Sequence, residues 1–452
     1  MKKNRRRKNR INKIDRHIRF GIAILAMVFV VVGLTTAIKG RSVCEVYKDT
    51  DIIEQKSEGK TTETGDEPEE EIKTDSKIRV LIMTDGFCHT AHSKVKLSSD
   101  SKITVTYGKH SKVYEKRKTI TIKPDSKWFK EGKVKIQAKN GIIKINSIKR
   151  GNGIPEYKGV LELINTAEGI VIINELPVED YLCGVVPSEM PSSYELEALK
   201  AQAVCARSYA YRQMEDYAYP EYQAHVNDST DYQVYNNSGQ AKSSEKAVKE
   251  TSGEVVRYKG KVVSTYYYST SCGCTTNMEA WGTKPGKEYG YLKSVNVRGE
   301  NGDYEKDLPW YRWEAVVSVE KMSDLVELNT GKEIGTLKKI EVTKRGPGNV
   351  ALKLKATGEK GSVTVETENK IRKALGGTGY EIVKQDGSKV SSSTLLPSAF
   401  FTIEKKGAEF VIKGGGFGHG IGMSQTGANE MAKQGKDYKE ILKLFYSNIT
   451  VE

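Results

Sequence analysis

The chain has 452 residues, of which 37% are hydrophobic and 29% charged, and it contains six cysteines; this length and composition exclude a single small domain, a wholly disordered chain and a scaffold built on disulfides. The formal net charge is +14, with +9 in residues 1–20 and −7 in residues 45–77. The remaining +12 is spread over the rest of the chain without a dense basic cluster, so nucleic-acid binding is not expected.

The first element is an uncharged apolar run, residues 21–38. A helix of this length approaches the hydrocarbon thickness of a bilayer, so the run predicts a single transmembrane helix. The basic residues 1–20 then place the N-terminus in the cytoplasm and the rest of the chain outside. A cleaved signal peptide is the alternative, although its apolar region is normally shorter. Residues 39–77 are polar and acidic, which predicts a disordered stalk.

Short runs of alternating apolar and polar residues follow the stalk, and their spacing predicts strands. They are interrupted by a helix: residues 192–195 match a capping box, and apolar residues recur at helical spacing from Leu196 to Ala210. A second helix is predicted at residues 424–446. This order indicates an α+β fold, strand-rich with a few separated helices after the transmembrane helix. The predicted strands are residues 78–82, 103–106, 119–122, 134–136, 142–145, 169–175, 253–257, 262–268, 352–354, 363–365, 400–403 and 409–413.

The first residue that could carry chemistry is Glu189, which lies between Pro187 and Pro191. The two prolines predict a rigid loop, because proline disrupts both helices and central strands. The apolar neighbours Val186 and Met190 would desolvate the carboxylate and raise its pKa, as a general acid at neutral pH requires. The alternative is a glutamate near a helix start that interacts favourably with the helix macrodipole.

The second candidate is a run of hydroxyl side chains at residues 266–276 (YYYSTSCGCTT). Hydroxyl groups hydrogen-bond to sugars, and tyrosine rings stack on pyranose faces; an ordinary strand end with a polar turn is the alternative. Cys272 and Cys274 are too close in sequence for an unstrained mutual disulfide, so we expect them to be free or paired with distant cysteines.

The third candidate is the glycine-rich segment at residues 414–425 (GGGFGHGIGMSQ). So many glycines indicate positive φ angles and room for a large ligand to approach. His419 within it could donate a hydrogen bond, act as a base or have a structural role. A nucleophilic pair of Cys183 or Cys205 with His419 remains an alternative, although Cys205 lies among small helix residues. His89 and His92, which follow Cys88, lack nearby carboxylates, so no zinc site is expected there.

Taken together, several motifs in the chain resemble the stage II sporulation protein D (SpoIID/LytB) family. The resemblance covers about residues 78–452. The chain departs from the family where Cys272 and Cys274 replace part of the usual glycine pair. Some relatives also bind zinc near residues 223–235; here His225 is present without a nearby cysteine, so no metal is expected. The matching motifs are ELPVEDYL (175–182), PSEMP (187–191), ALKAQAVCARSYA (198–210), YSTS (268–271) and GHGIGMSQTGA (418–428).

The resemblance implies a membrane-anchored enzyme that cleaves peptidoglycan glycan strands by lytic transglycosylation during sporulation and engulfment. It implies that Glu189 is the catalytic acid and that no cofactor is needed. Hydrolysis by water and a non-catalytic role as amidase enhancer remain alternatives. The expected partners are glycan strands, intact or peptide-stripped, the cell membrane, and a cell-wall amidase such as stage II sporulation protein P. The implied substrate-binding residues are Lys200, Arg207, Tyr268, Ser269, Thr270, Ser271, His419, Ser424 and Gln425.

The predicted organisation places the catalytic core between two strand-rich regions. The expected parts are a cytoplasmic tail (1–20), a transmembrane helix (21–38), a stalk (39–77), an N-terminal β-rich part (78–165), a catalytic core (166–300), an α+β accessory subdomain (301–395) and a C-terminal part of the core with the glycine-rich motif (396–452).

Overall fold

The computed structural model describes residues 75–452 except residues 152, 240 and 285. The predicted cytoplasmic tail, transmembrane helix and nearly all of the stalk therefore lie outside the described residues. Within the described part, none of the helices has the length and apolar character needed to cross a bilayer. The mixed, strand-rich composition of this part confirms the α+β class.

Some of the first twelve strands follow the alternation expected for sheets with one buried face, whereas the strand Gly169–Pro177 is buried along most of its length and the strand His110–Tyr114 is mostly exposed. In the strand over residues 134–138 (VKIQA), the Val, Ile and Ala side chains are buried and the Lys and Gln side chains are exposed. The strands are β1 (Lys77–Ile82), β2 (Ala91–His92), β3 (Val95–Ser98), β4 (Ile103–Tyr107), β5 (His110–Tyr114), β6 (Ile120–Ile122), β7 (Val134–Ala138), β8 (Ile143–Ile145), β9 (Glu156–Tyr157), β10 (Val160–Thr166), β11 (Gly169–Pro177) and β12 (Val226–Asn227).

These strands form two sheets, most of whose buried side chains belong to one hydrophobic core. Leu81, Val171 and Ile173 belong to a second, smaller cluster. The larger sheet has the order β12-β1-β11-β10-β7-β4-β5, with β2 paired to β11, and the smaller has the order β6-β3-β8-β9. The expected boundary between residues 165 and 166 falls inside β10, which pairs with β11. The N-terminal β-rich part and the start of the expected core thus share one sheet.

A group of helices packs beside the larger sheet and has the helix predicted from residues 196–210 at its centre. That helix buries Leu199 and a series of alanines, whose small side chains allow neighbouring helices to approach closely. The predicted capping box is wrong, because the helix begins at Leu196 after Glu195, whose side chain makes no cap. The helices are α1 (Val178–Glu189), α2 (Leu196–Gln213), α3 (Lys242–Glu250), α4 (Val319–Thr330), α5 (Glu368–Leu375), α6 (Gln425–Lys433) and α7 (Tyr438–Phe445).

The remaining strands form smaller sheets, and two of these carry the region expected to be an accessory subdomain. The strands are β13 (Val256–Tyr258), β14 (Lys261–Val262), β15 (Tyr267–Tyr268), β16 (Arg298–Gly299), β17 (Gly302–Asp303), β18 (Trp313–Ser318), β19 (Leu337–Arg345), β20 (Ala351–Gly358), β21 (Ser362–Glu366), β22 (Glu381–Lys384), β23 (Lys389–Ser391), β24 (Phe401–Lys406), β25 (Glu409–Gly414), β26 (Met423–Ser424) and β27 (Thr450–Val451).

The C-terminal strands return to sheets formed by earlier parts of the chain. The order β23-β22-β18-β25-β24 joins the expected accessory subdomain to residues beyond 395, and β19-β20-β21 lies beside it. The other pairings are β14-β13-β27, β16-β17 and the parallel pair β15-β26. Short 3₁₀ helices lie at Lys127–Glu131, Pro220–Tyr222, Met278–Trp281, Lys287–Tyr289, Pro309–Tyr311 and Pro347–Asn349.

Two predicted elements are divided in the structure. The predicted C-terminal helix is two helices, α6 and α7, because Gly435 turns the chain at φ +84° and Asp437 starts a new helix with a capping box to Glu440. The predicted strand at 262–268 is divided into β14 and β15. The division matters for the site, because β15 pairs with β26 whereas β14 pairs with β13.

A buried ion pair joins the segment after β8 to the residue that follows β12. The Arg150 guanidinium lies 2.7 Å from a carboxylate oxygen of Asp228, and the exposed fractions of the two side chains are 1% and 0%. The second Asp228 oxygen accepts a hydrogen bond from the Met83 backbone N–H at 2.9 Å. Burial raises the pKa of Asp228, and the Arg150 charge opposes this effect.

We expect Asp228→Asn to lower the free energy of unfolding by about 3–5 kcal/mol, because it leaves the Arg150 charge buried without compensation. Urea unfolding measures the change. Asp100→Asn is the control, since Asp100 forms an ion pair with Lys144 at the surface and should leave the unfolding midpoint nearly unchanged. Equal midpoints for Asp228→Asn and wild type would contradict the expected contribution.

Candidate active site

Glu189 is the last residue of α1, and the prediction of a loop around it is wrong. Pro187 lies in the last turn of the helix, where its missing N–H removes only one helical hydrogen bond. The interpretation of a helix-start glutamate is also wrong, because Glu189 lies at the C-terminal end. The macrodipole is negative there and disfavours an ionised carboxylate.

The side chain of Glu189 is held by a segment that runs beside the last turn of α1. The Val234 backbone N–H donates a 2.6 Å hydrogen bond to Glu189 Oε1, and the Asn236 N–H donates to Ser188 Oγ at 3.1 Å. The Tyr267 side chain lies beside the Glu189 carboxyl group and favours its charged form. The carboxyl group is therefore held by a backbone N–H and bordered by a tyrosine, and its residue remains partly exposed to solvent.

Tyrosines and one buried glutamine surround this carboxyl group. The Gln233 amide donates to the Tyr267 hydroxyl at 3.2 Å and accepts from the Tyr181 hydroxyl at 3.4 Å. Tyr181 and Tyr209 also lie close enough to interact electrostatically with Glu189. Burial raises the pKa of Glu189 to about 7, against the opposing effect of its hydrogen bonds. The sequence-based expectation of a raised pKa is thus confirmed.

Gln425 and Ser424 connect the glycine-rich motif to Glu189. Ser424 caps the N-terminus of α6 by accepting a hydrogen bond from the Gly427 N–H at 3.2 Å. The adjacent Gln425 side chain donates to the Glu189 backbone carbonyl at 3.1 Å and to Gln202 Oε1 at 3.3 Å. The structure therefore brings the GHGIGMSQTGA motif into contact with the PSEMP motif, which contains Glu189.

His419 has a structural role in this site. Its Nε2–H donates to the Tyr267 carbonyl at 2.9 Å, and its Nδ1 accepts from the Ile421 N–H at 3.1 Å. Its ring lies between Tyr268 and Trp281, with centroid distances of 5.5 and 5.1 Å. Burial lowers the pKa of His419 to about 4, so the ring is neutral at pH 7. Both nitrogens are occupied by backbone groups, which argues against a Cys–His nucleophilic pair.

The glycine-rich segment adopts positive φ angles as predicted, but protein atoms fill the space expected for a ligand. Gly418 and Gly422 have φ of +119° and +75°. A Cβ at Gly418 would lie 2.7 Å from Tyr268 Cβ, and one at Gly422 would lie 2.0 Å from the Tyr266 carbonyl oxygen. The glycines are therefore needed for close packing of this segment against β15.

The hydroxyl-rich turn is mostly buried. Ser269 is partly exposed, whereas Tyr268, Thr270 and Ser271 have exposed fractions of 5%, 2% and 1%. Thr270 exchanges two backbone hydrogen bonds with Phe417, at 3.0 and 2.8 Å. These contacts attach the turn to the glycine-rich segment, and they leave Ser269 as the most accessible hydroxyl of the turn.

A buried carboxylate, Glu305, joins the two motifs and was not predicted from the sequence. It accepts hydrogen bonds from the Ser271 N–H at 2.9 Å and from Ser424 Oγ at 2.8 Å. It also accepts from the hydroxyls of Ser271 and Thr426. The surrounding sequence, DYEKD at 303–307, has the composition of a solvated loop, and no local pattern distinguishes Glu305 from its neighbours. Gln233 likewise has no role predicted from the sequence, and Tyr267 is predicted only as one member of the hydroxyl-rich run at residues 266–276.

Lys200 and Arg207 share one face of α2 as predicted, but that face packs against α3 and the start of α1. Lys200 forms ion pairs with Glu197 and Glu250 at 2.8 and 2.9 Å. Arg207 is fully buried and pairs with both carboxylate oxygens of Glu179, at 2.7 and 2.8 Å. The structure does not bring these two cations to Glu189, and their contacts give them a structural role.

Among the described residues, the remaining histidine and cysteine candidates form neither a metal centre nor a disulfide. His225 Nδ1 accepts from the Arg79 N–H at 3.0 Å, and burial lowers the pKa of His225 to about 4. Among residues 75–452 as described, the His, Cys, Asp and Glu side chains form no group of three suited to a metal ion. Cys272 and Cys274 are free thiols with their sulfur atoms 3.9 Å apart.

The arrangement can therefore supply one proton at neutral pH and take it back. Glu189 is the titrating group, and its hydrogen-bonding neighbours are neutral amide, hydroxyl and backbone groups. Such neighbours orient the carboxyl group without fixing its charge. This chemistry fits acid–base catalysis on a ligand that reaches the exposed edge of Glu189.

Comparisons with known proteins match two regions of the chain. A family model described as "Stage II sporulation protein" matches residues 166–258, and one described as "Domain of unknown function (DUF8618)" matches residues 287–422. The first region includes Glu189, and the second includes Glu305 and His419.

Similar curated proteins come from spirochaetes and bacilli. An uncharacterised protein of Brachyspira hyodysenteriae is 35% identical over 66% of this chain and 73% of its own length. Stage II sporulation protein D of Bacillus amyloliquefaciens is 32% identical over 62% of this chain and 75% of its own length. The amidase enhancer of Bacillus subtilis is 27% identical over 60% of this chain and 40% of its own length. The chain therefore belongs to the stage II sporulation protein D family.

Proposed function

We propose that this protein is a lytic transglycosylase that cleaves the glycan strands of peptidoglycan, with Glu189 as its acid–base residue. The family is associated with the cell wall. The observation that carries the finer assignment is the enclosed Glu189 carboxyl group, which accepts a 2.6 Å hydrogen bond from the Val234 N–H and whose pKa burial raises to about 7. A group with this pKa is protonated in about half of the molecules at neutral pH, so it can act first as an acid and then as a base.

The proposed reaction breaks the bond from C1 of N-acetylmuramic acid to the next N-acetylglucosamine. Protonated Glu189 donates its proton to the glycosidic oxygen, the C1–O bond breaks, and positive charge develops at C1. The Glu189 carboxylate then takes the proton from the C6 hydroxyl of the same muramic acid residue, and that oxygen bonds to C1. The products are a 1,6-anhydro end and a free N-acetylglucosamine hydroxyl, with Glu189 protonated again.

The intramolecular attack suits a site with one acid–base carboxylate. Because the attacking hydroxyl belongs to the substrate, the reaction needs no second carboxylate to activate water, and it gains the entropic advantage of an attached nucleophile. Ser269, the most accessible hydroxyl of the turn, is the site residue that we expect nearest the sugars. Gln425 is buried, and its amide donates to the Glu189 carbonyl and to Gln202. Like Tyr268, Thr270, Ser271, Ser424 and His419, it would act by holding other site residues in place.

The proposed setting is the outer face of the cell membrane. Residues 21–38 would anchor the chain with its N-terminus in the cytoplasm, and residues 39–77 would give the catalytic part reach. Sporulation and engulfment are the proposed occasion, since two similar proteins are named stage II sporulation protein D. The net charge of +12 outside the two N-terminal charged regions would favour anionic wall polymers.

A second candidate function is a non-catalytic one, in which the protein binds glycan and stimulates a cell-wall amidase. The similarity to an amidase enhancer favours it. The two functions differ in their need for a proton at Glu189. An enhancer needs the shape of the site, which glutamine preserves, whereas the proposed enzyme needs an ionisable group.

We expect Glu189→Gln to lower the rate of anhydro-muramic product formation at least about a hundredfold, because it removes the general acid. Mass spectrometry of products from purified glycan strands, intact and peptide-stripped, measures the change. Glu221→Gln is the matched control, since Glu221 is an exposed carboxylate, and it should react like wild type. Reducing muramic ends would instead indicate hydrolysis. Strand binding without cleavage by wild type would favour the enhancer.

We also expect a signature of Glu189 in the pH dependence of stability. Because its folded-state pKa is raised to about 7, the stabilising effect of its protonation is complete below its ordinary pKa of about 4.3 and is lost as the pH rises through 7. Glu189→Gln should therefore exceed wild type by about 3–4 kcal/mol in free energy of unfolding at pH 8, and nearly equal it at pH 4. Urea unfolding at both pH values tests this, and a difference independent of pH would contradict it.

A further inference from the structure

The buried carboxylate Glu305 lies at a junction that the proposed mechanism does not use. Its exposed fraction is 0%, and it comes from the region matched to a domain of unknown function. None of the ion pairs found among the described residues includes it. A buried carboxylate without a cation is costly unless several donors satisfy it. The hydrogen-bond donors around Glu305 therefore decide whether its carboxylate can be accommodated in the interior.

Four donors from two separate segments satisfy the Glu305 carboxylate. Ser271 contributes its N–H and its hydroxyl, and Ser424 and Thr426 contribute their hydroxyls. Burial raises the pKa of Glu305, and these hydrogen bonds, which favour the charged form, oppose that effect. Glu305 thus joins the turn after β15 to the start of α6.

The two segments that Glu305 joins are the same ones that contact Glu189. Tyr267, in β15, lies beside the Glu189 side chain, and its hydroxyl accepts a hydrogen bond from the Gln233 amide at 3.2 Å. Gln425, which lies between Ser424 and Thr426, donates to the Glu189 backbone carbonyl. β15 and β26 pair in parallel over only two residues each. The turn after β15 and the start of α6 are also joined directly, by the Thr426 N–H to the Ser269 carbonyl at 2.9 Å and by the Ser271 N–H to Ser424 Oγ at 3.1 Å. Glu305 adds to these contacts a charged acceptor that Ser271, Ser424 and Thr426 share.

We propose that Glu305 is a positioning residue that joins the turn after β15 to the start of α6 and thereby aligns Tyr267 and Gln425 with Glu189. Its role in turnover rests on the proposed function, whereas its effect on the two segments does not. Loss of the carboxylate would allow the segments to shift against each other. Because displacements of about 1 Å in a catalytic geometry can cost a hundredfold in rate, the loss should appear in kcat rather than in KM.

The test uses the full chain with Glu305→Gln, and Asp307→Asn as the matched control. Asp307 lies two residues away in the same loop and is exposed. We expect Glu305→Gln to lower kcat on glycan strands at least tenfold with KM changed less than threefold, and to speed hydrogen exchange of the Ser271 amide. Asp307→Asn should change neither quantity. Wild-type values of both kcat and exchange in Glu305→Gln would overturn the proposal.

A second pair of variants keeps the test decisive if Glu305→Gln does not fold. Thr426→Val removes one donor hydroxyl at nearly constant volume, and Thr426→Ser keeps it. Thr426→Val should speed Ser271 exchange and lower kcat, and Thr426→Ser should restore slow exchange. Equal exchange in the two variants would contradict the role of Glu305. Absence of cleavage by wild type, with the exchange pattern as expected, would refute the proposed function alone.

Discussion

The structure depends on the enclosure of one carboxyl group, that of Glu189, at the C-terminal end of α1. Tyrosines and Gln233 displace most of its water, and the helix terminus adds an unfavourable dipole. The Val234 N–H and Tyr267 oppose these effects only in part, so the pKa stays near 7. The same enclosure that makes the residue suitable for acid–base chemistry makes its ionised form destabilising to the fold. Function and stability are therefore in opposition at this residue.

The enclosure is assembled from segments far apart in the chain. α1 supplies the carboxyl group, the segment at 233–236 supplies Val234, β15 supplies Tyr267, and α6 supplies Gln425. Two further residues hold β15 and α6 in place. His419 hydrogen-bonds to the Tyr267 carbonyl, and Glu305 joins the turn after β15 to α6. Residues 287–422, the region matched to a domain of unknown function, thus contribute to the site as well as to the sheets around it.

Patterns with local causes could be predicted from the sequence. The polarity patterns at β1, β4, β6, β7 and β8 and the alanine stripe of α2 predict elements that the structure confirms, whereas β2, β3 and β5 have no counterpart among the predicted strands. Glu189 was assigned to a loop because proline tolerance in a last helical turn depends on context. Lys200 and Arg207 were placed on the correct shared face, but the partner of that face, α3, cannot be read from α2 alone. Glu305 has partners 34, 119 and 121 residues away, so no local pattern indicates it.

The most direct test of the account is the pKa of Glu189 itself. Carbon-13 NMR of glutamate-labelled protein, with the Glu189 carboxyl resonance assigned by its loss in Glu189→Gln, follows that single group through a pH titration without substrate. The account predicts a midpoint near pH 7. A midpoint near the ordinary value of about 4.3 would mean that the carboxyl group is solvated, and it would remove the physical basis for a general acid at this position.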